Sequence, residues 1–274
     1  MLIHRSKMIW KNPKIEYIGD IAIIKVPFND VNEEELKKLA NEILEKNKFV
    51  KSVWHAATPV MGELKIRDYK YLAGEKRSET IYKEHNCMFK VDIKKVFITP
   101  RLSYEHLRIA NLVKEGERII NMFAGAGLFS IIIAKKSNPK VVHSIDINPD
   151  AYKYMIENIE LNKVKDIVVP YLGDAKEIIE EKLLDSSDRV LMPLPDKALD
   201  YVKYAISSID KMGYIHLYLH VSARKDEYLS KAEELTKKEL EKYNITYKII
   251  NSKEVRPVGP RLYQVVVDVY VEKN

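Results

Sequence analysis

Gly125 and Gly127, in the run Phe123-Ala124-Gly125-Ala126-Gly127, are followed about twenty residues later by Asp146. Glycines at this spacing let the backbone approach a ligand closely, because no β-carbon intervenes. An acid at that distance, ending the next strand, can accept hydrogen bonds from ribose hydroxyls. Together they suit a cofactor that carries a nucleoside. A dinucleotide fingerprint needs a third glycine, and Ser130 occupies its place; a phosphate loop needs Gly-Lys-Ser or Gly-Lys-Thr, which the chain lacks. S-adenosylmethionine has a ribose but no phosphate to cradle, and is the expected cofactor. The alternative is an ordinary strand–turn–helix of an α/β core.

A second group lies upstream, in Thr99-Pro100-Arg101-Leu102-Ser103-Tyr104-Glu105-His106. Arg101 precedes Glu105 by about one helical turn. A carboxylate could take a proton from a nucleophile while an arginine holds the charge that develops. Glu105 is equally what dipole stabilisation selects near a helix start, so two readings stand. Asp174, in Gly173-Asp174-Ala175, follows an apolar run and could meet an adenine amino group. Pro193-Leu194-Pro195 makes a stiff loop in which neither proline offers a backbone donor. Arg67, among Lys65, Tyr69, Lys70 and Tyr71, could contact phosphates beside rings that stack on bases; a solvated strand face is the other reading.

These groups need elements to position them. The apolar run at Ile119 predicts a strand, the glycines a turn, and the segment to about Ala134 a helix. Val141 to Ile145 predicts a second strand ending at Asp146. Asn148 and Pro149 predict a capped helix start. Further strands are expected at Val168–Leu172, Asp188–Met192 and Tyr214–His220, with helices at Glu177–Leu184, Ala198–Ile209 and Glu227–Lys242. Thr246–Ile250 and Leu262–Val271 predict a last strand pair, joined by a rigid loop carrying Arg256 and Arg261. Upstream, Ile18–Val26 reads as a strand broken only by Gly19-Asp20 at its start, Asn32 as the cap of a helix to about Lys48, and Val50–His55 as a strand. Thr80–Lys83 and Met88–Asp92 read as a hairpin turning at Glu84–Cys87. Ser103 reads as the cap of a helix from Tyr104. The expected organisation is a small α+β domain over residues 1–95, then an α/β, Rossmann-like domain over 96–274.

Hydrophobic residues make up 46% of the 274, enough for a sizeable core, and net charge is +6, which permits a polyanionic partner. No apolar run reaches about 18 residues, so no membrane span is expected. The start, Met1-Leu2-Ile3-His4-Arg5, lacks a signal-peptide core, and a cytoplasmic location is expected. A single cysteine, Cys87, excludes an internal disulfide and a cysteine-based zinc site. No metal is expected.

Tyr17-Ile18-Gly19-Asp20-Ile21-Ala22, Ala73-Gly74-Glu75, Thr80-Ile81-Tyr82-Lys83-Glu84, Thr99 to Glu105, Asn121 to Gly127, and Ile145-Asp146-Ile147-Asn148-Pro149 form one set. Together they resemble the archaeal tRNA (guanine-37-N1)-methyltransferase family and its relatives in wyosine synthesis, from about residue 17 to the end. The resemblance implies a class I methyltransferase domain behind a small α+β module, S-adenosylmethionine as cofactor, and the anticodon loop of tRNA at position 37 as target. It implies a monomer. By position, Asp146 would bind the ribose and Asp174 the adenine side, with Phe123, Ala124, Gly125, Gly127, Ile147, Ala175, Pro193 and Leu194 around the cofactor. His106 stands near the methionine end, where the family often has arginine. Glu105 matches the general base, Arg101 and Arg67 match positions that contact the target base, and Pro193 and Pro195 would wall it. Arg67, Arg256 and Arg261 are the expected tRNA contacts.

Three departures bear on function. Asn121 replaces the acid that opens the family's cofactor motif. The family's extra N-terminal domain, which grips the tRNA elbow, is not expected here. Pro193-Leu194-Pro195 replaces Asn-Leu-Pro, a form that resembles the branch methylating C7 of 4-demethylwyosine. The alternatives are an aminocarboxypropyl transferase, against which Arg101 argues, and a non-catalytic tRNA-binding relative, against which Glu105, Asp146 and Asp174 argue.

Overall fold

The computed structural model describes residues 13–27 and 31–274. These divide into two compact units, one comprising residues to Lys83 with Met88–Pro100, the other Glu84–Cys87 with Arg101–Asn274.

The first unit contains β1 (Lys14–Ile18), β2 (Ile21–Lys25), α1 (Glu33–Lys46), β3 (Ser52–Ala56) and β4 (Tyr69–Gly74), the strands lying in that order in one sheet. The break expected at Gly19-Asp20 is the turn of a tight antiparallel hairpin, β1–β2, and the strand before it, Lys14–Ile18, was not expected. Gly19 causes the fold-back. Its φ is +55°, and a β-carbon there would run into Thr80 Oγ1 and the Ile81 carbonyl oxygen. Asn32 caps α1 as expected, accepting from the Glu34 and Glu35 amides at 3.1 Å. Leu36, Leu39, Ala40 and Ile43 form the buried face of α1, packed with Ala22, Ile24 and Val53. β5 (Glu79–Glu84) and β6 (Cys87–Asp92) pair as a hairpin. Its turn residues His85 and Asn86 have φ +49° and +66°, the sign that two-residue hairpin turns of type I′ require.

The second unit begins with α2 (Ser103–Leu112), β7 (Arg118–Asn121), α3 (Leu128–Lys136), β8 (Val141–Asp146) and α4 (Pro149–Leu161). It continues through β9 (Val168–Leu172), α5 (Ala175–Lys182), β10 (Ser187–Met192), α6 (Val202–Ser208), β11 (Ile209–Ser222), α7 (Tyr228–Leu240), β12 (Ile245–Gly259) and β13 (Leu262–Lys273). The 7-stranded sheet has the order β12-β13-β11-β10-β7-β8-β9. Strands β11 to β9 in that order run parallel, and β13 is antiparallel to both β11 and β12. This is a Rossmann-like α/β domain. Strand order reverses between β7 and β10, which opens a crevice at their C-terminal ends where such sheets take ligands. α3 is apolar on every side, as a helix enclosed by its neighbours must be; Leu128 through Ala134 are all buried.

Two local expectations are corrected. Ser103 does not cap α2 through its side chain. It is the first helical residue, and its hydroxyl lies 3.1 Å from His85 Nε2, which donates to the Ser103 carbonyl at 2.8 Å. The segment Val255 to Gly259, expected as a loop, completes β12. Pro257 is tolerated because β12 is an edge strand and its register shifts between Pro257 and Gly259. Among the described residues no helix is long and apolar enough to cross a membrane.

Candidate active site

The crevice is built from the tips of β7, β8, β9 and β10. Gly125 and Gly127 have φ +56° and +91°, conformations that a side chain would strain. They differ in surroundings. A β-carbon on Gly127 would meet Ile131 and Met155 at 3.1 and 3.2 Å, whereas one on Gly125 would meet nothing within 4 Å. Gly127 is thus required by packing, and Gly125 faces open space. The Gly125 amide donates to Asp146 Oδ2 at 2.6 Å, and the Asn148 amide donates to Oδ1 at 2.9 Å. Burial pushes the Asp146 carboxyl up, while these two backbone donors oppose the shift. Each oxygen keeps a lone pair for a further donor. Ile147, the next residue, is 42% exposed, an apolar face beside the acid.

Ser130, in the place of the third glycine, is a buried hub. It accepts from Asn121 Nδ2 at 3.1 Å and from Ser144 Oγ at 2.7 Å. Asn121 Oδ1 is buried with no partner among the described residues, an arrangement that native interiors seldom leave without a ligand or water. Asp174 caps α5, accepting from the Lys176 amide at 2.8 Å, and both its oxygens receive the Tyr201 hydroxyl, at 3.0 and 2.8 Å. Tyr201 in turn packs edge-on against Phe123, with ring centroids 5.3 Å apart. Pro193 and Leu194 follow β10, half-buried, and the Leu194 carbonyl accepts from Lys197 to close the turn. An open glycine, an anchored acid and an apolar residue beside it fit a ribose-bearing adenosine ligand.

α2 places Glu105 and Arg108 on one buried face, three residues apart. Arg108 grips Glu105 twice, Nε to Oε2 at 2.8 Å and Nη2 to Oε1 at 2.7 Å, and grips Asp268 of β13 twice, at 2.7 and 3.1 Å. Tyr218 of β11 donates to Glu105 Oε1 at 2.7 Å. Burial, with Glu105 beside it, raises the Tyr218 phenol well above its ordinary value, so it stays a donor. Arg189 Nη1 donates to His216 Nε2 at 2.7 Å, so the His216 proton sits on Nδ1 and is given to Asp268 Oδ1 at 2.6 Å. Burial alone would raise Asp268, but His216 and Arg108 outweigh it and hold the carboxyl below the usual range. Glu105 is only 2% exposed. Of roughly four acceptor positions on a carboxylate, these bonds take all but one, on Oε2. His106 is buried too, its Nδ1 2.6 Å from Glu84 Oε1 and its ring edge-on to Phe129. Arg101 lies exposed in the short 3-10 turn before α2.

The TRM5/TYW2 methyltransferase domain model matches residues 80–246. Over 261 residues the chain is 47% identical to tRNA 4-demethylwyosine(37)-methyltransferase Taw21 of Saccharolobus solfataricus, covering 95% of this chain and 94% of that one. The chain belongs to the TRM5/TYW2 methyltransferase family. Another member, tRNA (guanine(37)-N(1))-methyltransferase Trm5b of Pyrococcus abyssi, is 39% identical over 260 residues, 92% of this chain and 73% of its own. The crystal structure of M. jannaschii TYW2 in complex with AdoMet superposes with a TM-score of 0.71 at 29% identity, covering 95% of this chain and 100% of that one.

In this TRM5/TYW2 member, Gly125, Asp146, Ile147, Asp174, Phe123 and the Pro193 turn all belong to one edge of the sheet. Glu105 stands in a buried ionic chain, and Arg256 and Arg261 lie at the β12–β13 end. Arg256 is a strand residue donating to Gln264 at 2.7 Å, and Arg261 forms the turn with φ +53°. Arg67 precedes β4 in the other unit, close enough to Tyr69 to counter the burial that pushes that phenol up to about 12. Tyr201, Tyr218 and Asp268 are the participants that sequence reasoning missed. Only Asp268, a charge inside the apolar run Val265 to Val271, left a visible signal.

The buried histidines predict a pH dependence of stability. Burial lowers the pKa of His143 and His216, and burial first, then Lys70, lowers that of His55. Each therefore holds a proton less readily in the fold than in the unfolded chain, where the ordinary value is 6.5, so the unfolded chain binds more protons as pH falls. This stability is complete above pH 6.5 and declines below it. Thermal midpoints should fall between pH 7.5 and 5; a flat profile would show that the imidazoles are hydrated.

Proposed function

We propose that this chain transfers a methyl group from S-adenosylmethionine to the purine at position 37 of tRNA, in the anticodon loop, with C7 of 4-demethylwyosine as the preferred acceptor. The observation that carries this reading is the 47% identity, through both units, to a 4-demethylwyosine methyltransferase. Pro193-Leu194-Pro195 supports the same acceptor. Pro193 has no side-chain amide and a fixed φ, so the turn is a shaped wall suited to a tricyclic base recognised by fit and stacking. N1 of guanosine is the second reading, favoured by the 39% identity to a guanine-N1 enzyme. The protein acts as a cytoplasmic monomer on this reading.

S-adenosylmethionine, when bound, supplies a methyl group activated by a sulfonium. What the chain must add is alignment and proton removal. Asp146 holds the ribose through its remaining lone pairs, with the open Gly125 backbone beside it. Ile147 and Phe123 flank the adenine, Asp174 and Tyr201 meet its amino edge, and His106 closes the methionine end. Arg101 faces the charge that develops on the base. Either substitution releases one proton, from N1 or from C7, and Glu105 Oε2 offers the free acceptor position. Arg67, Arg256 and Arg261 contact phosphates.

Asp146→Ala should weaken S-adenosylmethionine by about 1–3 kcal/mol in calorimetry, the scale for a lost charged hydrogen-bond partner; unchanged affinity removes Asp146 from the site. The activity itself is tested with labelled cofactor on two tRNAs, one with guanosine and one with 4-demethylwyosine at position 37, followed by nucleoside analysis. Label on C7 is expected, and Pro193→Asn should depress it more than any N1 product. Label on guanosine alone would leave the N1 reading in its place.

A further inference from the structure

Tyr104 stands beside the groups assigned above and none of them uses it. It is 69% exposed, the highest value among the large hydrophobic residues exposed on the described surface. One residue along a helix turns the side chain by about 100°, so Glu105 points into the ionic chain while Tyr104 points out from the same turn of α2. Lys253 of β12 reaches across it, with Nζ 4.1 Å from the ring centroid. No carboxylate among the described residues pairs with Lys253, and the Tyr104 hydroxyl has no partner there.

An exposed cation–π contact of this kind adds little to stability, and a ring this open adds little burial. The fold alone therefore gives small reason for the pair. Chemically it is complete: one ring face carries a cation, the other is open, and the cation has no counter-ion among the described residues. Single-stranded nucleic acid supplies both missing parts, a flat base for the ring and a phosphate for the ammonium. Charge points the same way. β12 is the edge strand carrying Lys248, Lys253 and Arg256 against one acid, Glu254, with Arg261 at its end.

We infer that Tyr104 and Lys253 form a stacking platform for an unpaired nucleotide adjoining the base that receives the methyl group. The ring takes the base and the ammonium its phosphate. This rests on the tRNA reading, because it assigns a neighbouring nucleotide of that substrate.

The test is direct binding of fluorescently labelled tRNA to the full chain by anisotropy, beside methyl transfer and cofactor calorimetry. Tyr104→Ala should raise the tRNA Kd roughly 5- to 150-fold, the range one stacked base contributes, with cofactor affinity unchanged. Tyr104→Trp should restore wild-type binding, since a larger ring also stacks. Lys253→Ala should lower the slope of log K against log salt by about one phosphate's worth. Wild-type tRNA binding by Tyr104→Ala, with methyl transfer intact, overturns the platform and spares the tRNA reading. Failure of Tyr104→Trp to rescue also overturns it. A wild-type chain that binds no tRNA overturns both.

Discussion

Arg108→Ala is expected to destabilise the second unit by about 3–5 kcal/mol, the scale for removing one partner from a buried ion pair. Arg108 satisfies two carboxylates at once, Glu105 and Asp268, each with two hydrogen bonds. Both carboxylates are almost wholly buried, so neither can recover its hydration when the guanidinium goes. The effect should appear as a lower denaturant midpoint with an unchanged slope. Acid should narrow the gap to wild type. Asp268 has a depressed pKa in the fold, so its contribution is present above about 3.8 and lost as pH falls through the lower folded value. A loss below about 1 kcal/mol at neutral pH would mean that water reaches the carboxylates in the variant.

Glu105→Gln should slow methyl transfer by roughly 10²- to 10⁴-fold, the usual contribution of a positioned general base, with S-adenosylmethionine affinity retained. The amide keeps an acceptor for Tyr218 but cannot take a proton. Guanosine N1 should suffer most, because that nitrogen must lose its proton to become a nucleophile. Tyr218→Phe is the companion variant. It frees one acceptor position on Oε1 without removing the carboxylate, so it should retain far more activity than Glu105→Gln. A Glu105→Gln enzyme within tenfold of wild type would make Glu105 a structural member of the ionic chain, and proton removal would fall to another group.

Much of the local structure in both units was written in short stretches. Asn32 and Asn148 cap the helices they precede because a short polar side chain reaches its own neighbours' amides wherever the chain enters a helix. Gly125 and Gly127 announced the turn, and Asp146 the strand tip, since those demands are met within a few residues. Local signals failed where two answers were locally acceptable. Ser103 could have capped α2, but His85, brought in by the hairpin turn, took its hydroxyl. Pro257 suggested a loop, yet an edge strand lacks the partner that a missing N–H would offend.

The sequence by itself therefore determined the order of strands and helices in the second unit, the glycine turn with Asp146 at the next strand's tip, and the family. The tertiary structure alone decided the state of Glu105. Its helical neighbour Arg108 was visible at a spacing of three, but Tyr218 and Asp268 lie far along the chain, on strands whose pairing register, Tyr218 opposite Val266 and His216 opposite Asp268, brings them beneath α2. The same holds for Tyr201 on Asp174 and for Lys253 over Tyr104. Such contacts depend on which strands lie side by side and in what register, a property of the whole buried sheet that no short stretch of residues encodes.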